Sequence, residues 1–109
     1  MVDYELNELR REFLAEAEGK VREMQQVIDG GRDSAALDRI AYLAHQLKGS
    51  GGSYGYEKIS SDAAEIEKAV ERMAGGNDEY DIEAKLRQHA LNLRSEIEKS
   101  ARELSTATA

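Results

Sequence analysis

Apolar residues recur at helical spacing in four blocks of this chain, glycines separate the blocks, and no proline interrupts any of them. At about 100° per residue, such spacing gathers the apolar side chains of each block onto one face. In the first block, predicted as a helix over 3–28, that face holds Leu6, Leu9, Phe13, Ala17, Met24, Val27 and Ile28, with Gly19 as a candidate bend or break. Asp29, Gly30 and Gly31 stop it, because glycine readily takes the left-handed conformation that ends helices. Asp33 or Ser34 then caps a second helix over 35–53, whose inward side carries Ile40, Leu43, Ala44, Leu47, Gly51 and Tyr54. Past Gly55, a third helix over 57–74 aligns Ile59, Ala63, Ile66, Val70 and Met73, and Gly75, Gly76 and Asn77 end it. A fourth over 78–103 aligns Ile82, Leu86, Leu93, Ile97 and Leu104. Short connections return each helix alongside the one before, so the expected fold is all-α, an antiparallel up-down-up-down four-helix bundle. The whole chain, 1–109, reads as a single domain with its core over about 3–104, and the small-residue stretch 105–109 is expected to fray.

Composition narrows the function classes. A net charge of −7 weighs against nucleic-acid binding, which relies on lysine and arginine neutralising phosphates, and against anionic membrane surfaces. No cysteine is present, so disulfides, thiolate metal sites and cysteine nucleophiles are excluded. The start, MVDYELNELRREF, has neither an apolar signal core nor a spanning segment, and a cytoplasmic monomer is the expectation. Two histidines without an His-x-x-x-His pair give no zinc or di-iron spacing, so no metal is expected. Phosphate-loop and kinase motifs are also missing, and no ATP site or cofactor is expected.

The chemistry concentrates in HQLKGSGGSYG, residues 45–55. Opposite the inward stripe, His45, Lys48, Gly49 and Gly52 share the outer face of the second helix. Glycine inside a helix costs roughly 1 kcal/mol against alanine, so Gly49, Gly51 and Gly52 together weaken this helix by roughly 2 to 3 kcal/mol. Gly51 points inward, where it permits close packing. Packing within the domain does not explain Gly49 and Gly52, which leave bare backbone beside the imidazole and open a path for a reacting group on a partner. An imidazole beside the positive charge of Lys48 suits phosphoryl transfer, in which positioning and stabilisation of anionic oxygens dominate. Tyr42 and Ala41 lie toward the same side; Tyr42 is either an interface anchor or a partly buried filler. His89, near the apolar stripe of the fourth helix, reads as a satisfied boundary histidine.

The run AHQLKGSGGSYG resembles the signature of histidine phosphotransfer (HPt) domains of multistep phosphorelays, and flanking sequence extends the resemblance over roughly residues 6 to 98. The resemblance implies that His45 accepts a phosphoryl group on Nε2 from the aspartyl phosphate of a response-regulator receiver domain and passes it to another receiver. It further implies that Lys48 contacts the phosphoryl group, that Gly49 and Gly52 form the docking patch, and that Gly55 closes the helix. Glu67 falls where similar domains carry a carboxylate that orients the imidazole through Nδ1; its competing reading is an exposed acid paired with Lys68 or Arg72. The implied partners are receiver domains and a sensor or hybrid histidine kinase, with Mg²⁺ belonging to the receiver. On this reading the chain is a phosphoryl carrier with no kinase activity of its own. Its alternatives are a phosphotransfer domain labelled directly by a chemotaxis-type kinase and a non-enzymatic helical adaptor using the His45 face. A hydrolase with His45 as base lacks a nucleophile and a carboxylate partner of known geometry.

Overall fold

A computed structural model describes residues 3–31, 33–76 and 80–107, leaving the side chains of Tyr80 and Ala107 aside. Four helices make it up: α1 (Asp3–Gly30), α2 (Ser34–Ser53), α3 (Glu57–Ala74) and α4 (Tyr80–Ala107). The expected stripes form the core: Phe13, Ala17, Met24 and Ile28 from α1 are buried against Ile40, Leu43 and Leu47 of α2, Ile59, Ile66 and Val70 of α3, and Leu86, Leu93 and Ile97 of α4. Leu14 and Val21 add to it. Leu6 and Leu9 are half-buried, toward the open end of α1.

Among the described residues each helix packs on two others, α1 on α2 and α4, α3 on α2 and α4, so the helices form a closed ring around the core. Cross-helix contacts fix their directions. Arg10 reaches the Tyr54 carbonyl while Glu23 meets Arg39, so α1 and α2 run oppositely. Glu67 of α3 meets His45 whereas Ser60 meets Lys48, and Arg87 of α4 meets Asp29 whereas Arg94 meets Gln25. The bundle is therefore antiparallel, as expected, and about 47 Å long.

Local sequence sets the helix ends. Asp33, rather than Ser34, is the N-cap of α2, its carboxylate accepting from the Ala36 amide at 2.8 Å. At the other end the Tyr56 amide donates to the Gly51 carbonyl at 2.8 Å and Gly55 takes a φ of +85°, a conformation that favours glycine. Phe13 stacks on Tyr54 and Tyr56, with centroids 5.3 and 6.0 Å apart, and ties α1 to this turn.

Two local expectations differ from the structure. Gly19 makes no break: α1 runs through it, because neighbouring turns are packed into the core and a single glycine costs only about 1 kcal/mol. At the C-terminus α4 continues through 105–107, past the expected limit of the core, and the Thr106 hydroxyl donates to the Arg102 carbonyl at 3.0 Å. The expected start at Asp78 and residues 108–109 lie outside the described residues. No described helix is long and apolar enough to cross a membrane.

Candidate functional site

His45 sits on the outer face of α2, past the helix midpoint, its side chain 71% exposed. Inward neighbours Leu43, Ala44 and Leu47 anchor that stretch in the core, so the backbone beneath the ring is rigid while the ring itself meets solvent. From α3, Glu67 reaches across: its Oε2 lies 3.0 Å from His45 Nδ1, and its Oε1 accepts from Lys48 Nζ at 2.7 Å. One carboxylate thus bridges the imidazole and the ammonium. Its own side chain is only 18% exposed. The Lys48 bond, and after it the His45 bond and both charges, hold the Glu67 carboxyl below the ordinary carboxylate range against the opposing effect of burial.

An ionised Glu67 accepts and does not donate, so Nδ1 carries the proton of the neutral ring and Nε2 keeps its lone pair. In that neutral form the geometry turns the nitrogen with the lone pair away from Glu67, on the exposed side of the helix. Since the folded-state carboxyl titrates below the ordinary carboxylate range, its stabilising contribution is present above that range and is lost as pH falls through the lowered value. Thermal unfolding followed from pH 7 to pH 3 should accordingly show an acid-side loss of stability that is smaller in Glu67→Gln.

The glycines divide by surroundings. A Cβ built on Gly49 meets nothing within 4 Å, and one on Gly52 makes an ordinary 3.6 Å contact with Ser60 Oγ. A Cβ on Gly51 would lie 3.2 Å from both Ile59 Cγ2 and the Ser60 amide nitrogen. Gly51 is the close-approach point of α2 and α3; Gly49 and Gly52 are exposed.

Other expected site residues fall around this centre. Tyr42 is 53% exposed, whereas Ala41 is half-buried against the core and offers a partner only the rim of its methyl group. Glu67 pairs with Lys48 and His45 rather than with Lys68, which binds Glu65. His89 is half-buried, as its boundary position suggests, but its buried Nδ1 has no hydrogen-bond partner among the described residues, so it is not the satisfied histidine expected. No group of three or more potential metal ligands occurs among the described residues.

Sequence periodicity missed Ser60, whose Oγ donates to the Lys48 carbonyl at 2.8 Å and clamps α3 to α2 beneath the site. It also missed the pairing of Arg39 with Glu23 of α1. Both link different helices, and no feature of the sequence pattern marks them. Compared with known families, residues 8–103 match the family model described as the Hpt domain. No curated protein and no solved structure matches the chain.

Proposed function

The chain belongs to the Hpt domain family, which serves histidine phosphotransfer in phosphorelays, and we propose that it is a phosphorelay intermediate with His45 as phosphoryl acceptor. The observation that carries the assignment of the residue is the bond from His45 Nδ1 to Glu67, which leaves Nε2 free on the exposed face. In the forward step the Nε2 lone pair attacks the phosphorus of an aspartyl phosphate on a receiver domain. A nitrogen–phosphorus bond forms, the bond to the carboxylate oxygen breaks, and the receiver aspartate leaves as carboxylate. The ring gains positive charge as the bond forms, and the Glu67 carboxylate at Nδ1 balances it. Transfer to a second receiver reverses the step.

Lys48 supplies the cation. It is 40% exposed and held one turn from His45, so its ammonium can exchange a Glu67 oxygen for an oxygen of the arriving phosphoryl group. Gly49 and Gly52 are the contact patch, with Tyr42 and the rim of Ala41 beside it. The chain brings no metal to this chemistry; Mg²⁺ enters with the receiver, and a sensor or hybrid kinase supplies the phosphoryl group upstream. Receivers and the ATP used by their kinases are cytoplasmic, so the proposal places the protein there, as a monomer.

Incubation with phosphorylated receiver domains should move the label onto this chain in an acid-labile, alkali-stable bond that peptide mapping locates at His45. Label at any other residue would overturn the assignment. Glu67→Gln keeps an acceptor near Nδ1 but removes its charge; the transfer rate should fall about 10-fold, the rate equivalent of one charge-assisted hydrogen bond. An unchanged rate in that variant would remove Glu67 from the mechanism.

A further inference from the structure

Tyr42 lies one turn before His45 on the same side of α2, and its exposed ring is held from several directions. The Arg39 guanidinium stands 5.4 Å from the ring centroid. That guanidinium is fixed in turn by Glu23 of α1, with Arg39 Nε donating to Oε2 at 2.5 Å and Nη2 to Oε1 at 2.9 Å. On the other side the Gln46 amide donates to the Tyr42 hydroxyl at 2.8 Å. The hydroxyl oxygen is therefore an acceptor in this contact, and its own proton has no partner among the described residues.

A free surface tyrosine loses rotamer freedom when a partner captures it, and that ordering weakens binding. Here the ordering precedes the encounter. Two-point arginine–carboxylate geometry is the arrangement in which an exposed ion pair holds a defined position. In keeping with it, each partner is shifted chiefly by its hydrogen bond to the other, Glu23 downward and Arg39 upward. Because Glu23 answers the Arg39 charge, the surface beside Tyr42 asks a partner for an apolar contact and an acceptor, not for a counter-ion.

We propose that Tyr42 is the specificity-determining anchor of the receiver interface, set in place by Glu23, Arg39 and Gln46. It selects a receiver domain that offers an apolar socket with a backbone carbonyl or carboxylate oxygen where the tyrosine hydroxyl arrives. Glu23 and Arg39 are positioning residues that act through the ring. This rests on the reading of His45 as acceptor from a receiver.

The test measures KM and the maximal rate of transfer from the phosphorylated receiver that labels the unaltered chain fastest. Labelling by phosphoramidate, a small donor that needs no docking, is followed in parallel. Tyr42→Ala should raise KM about 30-fold, the scale of a central interface residue. Tyr42→Phe, which lacks only the hydroxyl, and Arg39→Ala, which frees the ring, should each raise it about 3- to 10-fold. Maximal rate and phosphoramidate labelling should stay within about 2-fold, because the reacting groups are untouched. An unchanged KM in Tyr42→Ala overturns the proposal, and so does a loss of phosphoramidate labelling that matches the loss with the receiver. Failure of the unaltered chain to take label from either donor removes the His45 reading and this proposal with it.

Discussion

His45→Ala should take up no phosphoryl label from a receiver or from phosphoramidate, while unfolding at the same temperature as the parent or slightly above it. The chemical half of that expectation follows from the absence of a substitute. His89 is half-buried with a buried Nδ1 on α4, a helix that does not pack on α2, and no cysteine is available as a nucleophile. The stability half follows from exposure. With 71% of the side chain in solvent, removing the imidazole uncovers no core, and alanine improves local helix propensity by about 0.5 kcal/mol. Glu67 loses its bond to Nδ1 but keeps Lys48 at 2.7 Å, so no buried charge is stranded. Label incorporation together with a thermal melt checks both halves. Labelling of the variant at the parental rate would rule out His45 as the acceptor.

Why the acceptor was readable in the sequence and its orienting partner was not comes down to what periodicity encodes. A 3.6-residue period tells which face of a helix a residue occupies, and with glycine punctuation it located four helices, the antiparallel bundle and the outward placement of His45, Lys48, Gly49 and Gly52. It carries no information on axial register between helices. Glu67 is 22 residues from His45, and the two meet only because the turn at Gly55 and the close approach at Gly51 set how far α3 slides along α2. Position on its own stripe leaves Glu67 as much a partner for Lys68 as for His45; family resemblance, not pattern, pointed to the imidazole. The same gap hid Ser60 and the link from Glu23 to Arg39, both of which cross between helices. At Gly19 and in 105–107, local propensity pointed to a break and to fraying. Packing prevailed there: Ala17 and Val21 are buried on either side of Gly19, and Leu104 is buried just before the tail.

Alanine at the three glycines of α2 should change stability with opposite signs, although all three lie within one turn of one helix. At Gly49 the new methyl group meets nothing within 4 Å, and at Gly52 only an ordinary contact with Ser60 Oγ. Each of these variants should gain up to about 1 kcal/mol from helix propensity alone. At Gly51 the same gain is available but the methyl group would press on the Ser60 amide nitrogen and Ile59 Cγ2 at 3.2 Å and on the Tyr56 carbonyl oxygen at 3.4 Å. Backbone atoms at the start of α3 cannot swing aside as a side chain does; the helix must shift. Overpacking of that kind costs about 1 to 3 kcal/mol, so Gly51→Ala should be destabilised on balance, and Gly51→Leu by several kcal/mol. The shift also reaches the site. Ser60 holds the Lys48 carbonyl, and Glu67 lies two turns farther along α3, so moving α3 outward draws the carboxylate from Nδ1 and should slow transfer in Gly51→Ala beyond its effect on folding. Denaturant melts and transfer rates on the three single variants check this, and a Gly51→Ala protein as stable as Gly49→Ala would refute the close-approach role. If the bundle alone had shaped this helix, alanine would serve better than glycine at 49 and 52. A Gly49→Ala protein that is more stable yet transfers more slowly would show that the approaching receiver, rather than the fold, keeps those positions bare.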